Sequence, residues 1–384
     1  MVRVLMVTGE YPPMPGGVGD YTRCLVDALE RRGCRCGVVT AVPAAGQQHV
    51  IATARRWGWS LIPLVRRAAH QMHADLVHIQ YQAGAFDLHP APTILPLFVR
   101  PRPCVVTFHD TNVPYLFPKA GPLRRWATIL LARQSAAVIA TNPEDASELA
   151  VWQARQLYRV PIGSNIPVST NTSLAEGMKL LEQFRASRRP TIGFFGFLTP
   201  DKGIEVLLTA LVKLPEPRPA LVLIGGSQGA TGKVHGAYAA AVEQRLATAP
   251  VPLLRTGYLD AEAVAAALAA VDLVVLPFAE GASLRHGTLI AALAAGAPVV
   301  TTTPARLEWI APLRDREHCW LVPPRDPEAL AHAIQILLAA PQTRRHLGEA
   351  AKQLAVQVFA WETIADQHMT IYGTVLSPSS MPPN

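Results

Sequence analysis

The sequence predicts an α/β protein made of two doubly wound parallel sheets whose domains face each other across a cleft. Three observations predict it. Short apolar runs at 2–8, 104–108 and 271–276 lack polar alternation, the pattern of strands covered on both faces. Each run gives way to a polar or glycine-bearing loop and then to a helical stretch, as βαβ units require. The same series restarts near Thr191, so the architecture is repeated rather than extended.

A chain of 384 residues is long for one core and fits two domains. Half of its residues are hydrophobic, enough for two large cores. No apolar run reaches the roughly 18 residues of a membrane span. Residues 2–7 form a short first strand with no cleavage region after it, so a cytoplasmic location is expected. The five cysteines, Cys24, Cys34, Cys36, Cys104 and Cys319, have no zinc-site spacing and read as reduced, mostly buried thiols. No metal site is expected.

The net charge of +7 sits entirely in the first half. Residues 1–165 hold 17 Lys and Arg against 10 Asp and Glu, whereas residues 166–384 hold 18 of each. This asymmetry suits an anionic membrane surface, an anionic acceptor or nucleic acid, and it equally describes arginine-rich surface helices. Nucleic acid has only net charge behind it and is not expected as a partner.

The first strand runs into Glu10, Tyr11, Pro12 and Pro13, then Gly16, Gly17, Val18 and Gly19, then a helix over 20–32. The prolines forbid regular structure, and the glycines permit left-handed backbone and close approach of a ligand. A glycine-rich loop leading into a helix is either a phosphate cradle or a plain turn. Its spacing is neither a dinucleotide fingerprint nor a P-loop. Residues 35–40 read as a strand and 41–54 as loop. Residues 55–73 read as a helix with Trp57 and Trp59 beside Arg55, Arg56, Arg66 and Arg67. Such a helix lies on a membrane or packs on its sheet with its arginines outward, and Pro63 interrupts the pattern.

Strands follow at 76–80 and 104–108. The second ends in Thr107, Phe108, His109 and Asp110, which places His109 at a carboxyl edge, where open α/β sheets bind ligands. Imidazole there acts structurally or as a donor or acceptor near neutral pH. A helix over 123–134 and a strand over 137–141 come next, and Asn142 with Pro143 starts another helix by capping. A polar stretch runs from 168 to 189.

The second series opens with a strand at 191–196 and a loop carrying Phe197, Lys202 and Gly203 before a helix over 204–213. A Lys in a first helical turn opposes the helix dipole, so it either meets an anionic ligand or aids solubility. A strand over 221–224 ends at Gly225 and Gly226. Residues 253–256 lead to Gly257, Tyr258, Leu259 and Asp260. The strand over 271–276 is followed by a loop holding Glu280, Gly281, Ala282, Ser283, Arg285 and His286, then by an alanine-rich helix that ends at Gly296. That loop joins a carboxyl edge to a helix N-terminus, where anions are favoured, although a solvated connection is the plainer reading. Strands at 297–301 and 319–322 and helices over 326–339, from 342 onward and through 372 complete the series. The tail from 377 is rich in Ser and Pro and reads as disordered.

Taken together, these residues resemble the GT-B glycosyltransferases, specifically glycosyltransferase family 4, over nearly the whole chain. Four motifs carry the resemblance: Glu10 to Pro13 with Gly16 to Gly19; Thr107 to Asp110; Gly196, Phe197 and Leu198 with Lys202 and Gly203; and the loop from Pro277 to Thr288. Two positions depart from the pattern. Phe197 stands where the family commonly carries a phosphate-binding Arg. Thr288, eight residues after Glu280, stands where its second glutamate would be. A subgroup with a Ser-x-Arg-basic-Gly-Ser pattern is similar to Ser283 through Thr288, and Arg285 there supplies a positive charge.

The resemblance implies two Rossmann-like domains: 1–168 on the acceptor side and 190–358 binding the nucleotide sugar, joined by a linker at 169–189. It also implies a terminal helix at 359–376 packing back on the first domain. The implied reaction is a retaining, metal-independent transfer of a sugar from a nucleotide diphosphate sugar to a glycan, lipid-linked or small acceptor, with no cofactor. His109, Glu280 and Lys202 are implied as the catalytic set. Donor contacts are implied at Gly16, Gly17, Val18, Gly19, Gly196, Gly226, Tyr258, Leu259, Gly281, Ala282, Ser283, Arg285 and Thr288, and the acceptor side at Glu10 and Asp110. The basic first domain implies peripheral contact with an anionic membrane. An inactive GT-B binding protein and a nucleotide-sugar epimerase are the alternatives.

Overall fold

The computed structural model describes residues 1–14, 16–111, 121–167, 171–225 and 236–377. It divides into two compact units, Met1–Gly163 with the segment from Trp361 on, and Ser164–Ala360.

The first unit holds a seven-stranded, all-parallel sheet. Its strands are β1 (Arg3–Thr8), β2 (Arg35–Ala41), β3 (Val50–Ala54), β4 (Leu76–Tyr81), β5 (Cys104–Phe108), β6 (Ala137–Ala140) and β7 (Leu157–Arg159). They lie in the order β3-β2-β1-β4-β5-β6-β7, so the winding reverses between β1 and β4. Helices α1 (Gly17–Arg31), α2 (Leu61–Gln71), α3 (Ala91–Phe98), α4 (Gly121–Gln134) and α5 (Pro143–Val151) connect them. Separate apolar clusters form where helices cover the sheet, one including Leu61, Val65, Leu95 and Leu131 and the other Leu25, Leu29 and Ile364. The Asn142 side chain accepts the Asp145 N–H at 2.8 Å, the cap expected at α5.

The second unit holds a six-stranded parallel sheet in the order β10-β9-β8-β11-β12-β13, with its reversal between β8 and β11. The strands are β8 (Thr191–Phe195), β9 (Ala220–Ile224), β10 (Leu253–Arg255), β11 (Leu273–Leu276), β12 (Val299–Thr302) and β13 (Trp320–Val322). Its helices are α6 (Asn171–Leu180), α7 (Glu182–Ala186), α8 (Ile204–Lys213), α9 (Gly236–Ala247), α10 (Ala261–Ala270), α11 (Gly287–Ala294), α12 (Pro327–Ala339) and α13 (Pro341–Val358). The last helix, α14 (Trp361–Leu376), buries Ile364, Ala365, Ile371 and Tyr372 in the first unit's core.

Four local expectations change. Residues 50–54, read as loop, form β3, an edge strand whose Val50, Ile51 and Thr53 are β-branched. Residues 91–98 form α3, which the pattern did not reveal. The arginine-rich helix is shorter than 55–73: it starts at Leu61 after a turn at Gly58, so Trp57 and Trp59 precede it. Pro63 falls in its first turn, where no N–H is needed, and does not interrupt it. The stretch 169–189, read as a linker, carries α6 and α7, and α6 packs closely on α10. Gly177 allows this contact, because a Cβ there would stand 2.0 Å from the Ala266 carbonyl oxygen.

Candidate active site

In the second unit the predicted groups gather at the carboxyl ends of β8 and β11, the point where the winding reverses. The turn after β8 carries Lys202, and Gly203 caps α8 in the left-handed region at φ 66°. A Cβ on Gly203 would stand 2.0 Å from the Pro277 carbonyl oxygen, so only glycine lets the turn lie against the end of β11. The Ala279 N–H donates to the Asp201 carbonyl at 3.0 Å and ties the two loops together. Lys202 Nζ sits 3.3 Å from Asp201 and 5.1 Å from the centre of the Phe278 ring.

His286 stacks on that ring and precedes the first turn of α11. Its Nδ1 accepts the Ser283 N–H at 3.3 Å, which leaves any ring proton on Nε2. Burial, followed by the charge of Lys202, pushes this imidazole down to about 3, so it is neutral in ordinary buffers. The Arg285 N–H donates to Ser283 Oγ at 3.3 Å. Gly281 takes φ 94°, and a Cβ there would stand 2.7 Å from the Thr303 oxygen. The Ala282 N–H donates to the Thr302 carbonyl at 2.9 Å. A Cβ on Gly196 would lie 3.4 Å from the Thr288 methyl, which puts the end of β8 beside the first turn of α11. Thr288 Oγ1 is buried with no hydrogen-bond partner among the described residues.

Other predicted groups stand apart from this cluster. The Glu280 side chain is 86% exposed and lies 3.7 Å from Arg325, whose Nε also donates to the Ala279 carbonyl at 3.1 Å. Phe197 is half exposed, Tyr258 is 90% exposed and Leu259 is partly buried. These last two follow β10, on the same sheet edge but at its far side. Gly226 lies outside the described residues.

In the first unit the glycine-rich loop leads into α1 and lies against Glu10. Glu10 Oε1 accepts from the amides of Val18 at 3.0 Å and Gly19 at 3.2 Å. A carboxylate of the chain thus occupies the N-terminus of α1. Burial raises the Glu10 pKa from its usual value, and the two amides oppose the shift. Gly16 supplies room rather than handedness: it is extended at φ 172°, and a Cβ there would fall 2.0 Å from the Glu10 carboxylate. Gly17 and Gly19 are helical.

His109 follows β5 as expected. Its Nε2 lies 2.9 Å from Gln80 Oε1, and its ring meets Tyr21 edge-on with centroids 4.7 Å apart. Burial, with a smaller effect from His368, pushes it down to about 3. Asp110 points elsewhere and lines a mostly apolar cavity of about 400 Å³ with Trp59, Tyr81, His89, Thr111 and Trp126. Sequence reasoning passed over Phe278, Arg325, His78 and Gln80. His78 and Gln80 gave one signal: two polar residues on one face of an otherwise apolar, fully buried strand.

Comparison with known proteins bears on the family and the fold. The model described as "Glycosyltransferase Family 4" matches residues 15–163, and "Glycosyl transferases group 1" matches residues 189–340, together more than half of the chain. A phosphatidyl-myo-inositol mannosyltransferase of Mycobacterium leprae is 27% identical over 398 residues, covering 99% of this chain and 98% of its own. Among solved structures, Anabaena HepE in complex with UDP superposes with a TM-score of 0.77 at 20% identity, covering 97% of this chain and 100% of its own. The sucrose-phosphate synthase of Thermosynechococcus elongatus gives 0.76 at 22% identity, covering 99% and 100%. Among the described residues, no helix is long and apolar enough to cross a membrane.

Proposed function

The chain belongs to the group 1, family 4 glycosyltransferases, and on that footing we propose that it moves a sugar from a nucleoside diphosphate sugar to an acceptor, with retention at the anomeric carbon and without a metal ion. One arrangement carries this reading. Lys202 and the first turn of α11 share the carboxyl edge of β8 and β11, and Thr288 Oγ1 in that turn is buried without a partner among the described residues. A diphosphate leaving group gains negative charge as the glycosidic bond breaks. Lys202, Arg285 and the amides at the start of α11 would stabilise that charge, the task a metal ion performs elsewhere. Thr288 would donate its hydroxyl to a phosphate or sugar oxygen.

Neutral His109 would hydrogen-bond the sugar or the acceptor hydroxyl, and Glu280 would orient the sugar. The Glu10 carboxylate already holds two amides of the first glycine loop, so the donor phosphate relies chiefly on the second unit. The relative from Mycobacterium leprae is named for a phosphatidyl-myo-inositol acceptor, which makes a lipid-borne acceptor the first class to try. Contact with an anionic membrane through Arg66 and Arg67 belongs to the same reading, and co-sedimentation with anionic vesicles tests it. Neither the epimerase nor the inactive binding protein is favoured by these relatives.

A panel of UDP, GDP, ADP and dTDP tested by thermal shift comes first. A nucleotide at 100 times its Kd stabilises by about 2.7 kcal/mol, and one clear responder names the donor class. No response to any nucleotide or its sugar would remove the donor assignment. Turnover unchanged by a chelator, with the product anomer matching the donor, tests the other two parts.

A further inference from the structure

His109 is the outer end of a buried polar chain that reaches the last helix of the protein. Its Nε2 lies 2.9 Å from Gln80 Oε1. The other end of that amide, Gln80 Nε2, lies 3.3 and 3.5 Å from the two nitrogens of the His78 ring and 3.8 Å from Met6 Sδ. His78 in turn has a hydroxyl on each nitrogen: Tyr372 at 2.7 Å on Nδ1 and Thr107 at 2.8 Å on Nε2. Gln80, His78, Thr107 and Tyr372 are all fully buried.

Hydrogen-bond chemistry orients the chain. A thioether sulfur accepts and cannot donate, so the Gln80 end facing Met6 must be the amino group. The amide oxygen then faces His109 and can only accept, which requires a proton on His109 Nε2 and leaves Nδ1 as an acceptor. Nδ1 has no hydrogen bond among the described residues. Loss of Gln80 would let the ring take either tautomer and rotate.

We propose that Gln80 is a positioning residue for His109: its amide oxygen holds the imidazole as the Nε2–H tautomer with Nδ1 free to accept from a substrate hydroxyl, and Tyr372 of α14 braces Gln80 through His78. The C-terminal helix therefore supports the site as well as the core. The same helix brings a second imidazole near His78: the His368 ring centre is 5.6 Å from that of His78, and His368 Nδ1 lies 2.7 Å from the Ile364 carbonyl. This inference rests on the reading of His109 as a group that touches sugar or acceptor.

Nitrogen-15 histidine spectra of the full chain read the tautomer without any substrate, which separates this test from that of the reaction. His109 is expected as a single Nε2–H species near pH 7. Gln80→Met should give a mixture of tautomers, with kcat lower by about 10- to 100-fold and the KM for the nucleotide sugar little changed. Gln80→Glu keeps an acceptor; it should restore the Nε2–H signature and move the acid limb of the rate profile upward. Tyr372→Phe removes one hydroxyl with little change of volume and should loosen the tautomer if Gln80→Met fails to fold. A wild-type Nδ1–H signal, or an unchanged tautomer and kcat in both apolar variants, would overturn the proposal. A locked wild-type tautomer in a chain that turns over no nucleotide sugar would support the lock and sink the proposed reaction.

Discussion

The imidazole of His286 lies almost flat on the ring of Phe278, with centroids 3.7 Å apart and planes 20° from parallel. Lys202 approaches the same ring, with Nζ 5.1 Å from its centre. One fully buried aromatic side chain thus sets two polar groups at the edge of β11. Phe278→Leu should remove the stack, worth about 0.5–1.5 kcal/mol beyond lost area. Urea denaturation measures the loss, and a rise in donor KM should accompany it. Unchanged stability and KM would show that the stack positions nothing.

Lys202→Ala should lower turnover by about 10²–10³-fold, the range for removing one preorganised charge or donor from a transition state. Stability should change little, because its ion pair with the largely exposed Asp201 contributes at most about 1 kcal/mol. Steady-state rates with the donor found by thermal shift check this. A wild-type rate would take Lys202 out of the site.

Gly203→Ala should damage stability and activity together. It places a Cβ in left-handed backbone at φ 66° and drives it into the Pro277 carbonyl, 2.0 Å away. Strain alone costs about 1–2 kcal/mol, and relief requires moving the Lys202 turn away from β11. Gly287→Ala is the control: a Cβ there meets nothing within 4 Å, and its effect should stay within about 1 kcal/mol. A shared melting curve for the two variants would refute the close approach.

Buried and partly buried imidazoles make the fold acid-sensitive. Burial lowers His368 to about 4, His109 and His286 to about 3, and His78 well below its usual value. Each binds protons more readily unfolded, near pH 6.5. Their contribution to stability is therefore complete above that pH and lost progressively as pH falls toward 3–4. Melting midpoints should drop between pH 7 and 4, and His368→Gln should flatten the slope. A flat profile in the wild type would count against neutral buried imidazoles.

Much of this was legible in the order of residues. Continuous apolar runs followed by glycine-bearing loops marked most of the strands, because a strand covered on both faces needs no polar alternation. β3 and α3 escaped because each is short: β3 is an edge strand and α3 carries an internal proline. The loop from Pro277 to Thr288 and the Lys202 turn stood out as separate pieces, since their chemistry is local.

What the sequence by itself determined is the two α/β series, their family and the strand ends that carry the polar groups. Tertiary structure decided which of those groups meet. Lys202 and His286, far apart in the chain, come to the same Phe278 ring because β8 and β11 are neighbours at the point where the winding reverses. Glu10 takes the first loop's amides, and Glu280 turns out to solvent beside Arg325. Tyr372 reaches His78 across 294 residues of sequence only because α14 returns to the first sheet. Local propensity encodes strands and turns within a few residues, whereas hydrogen bonds between distant segments exist only after the sheets have brought their edges together.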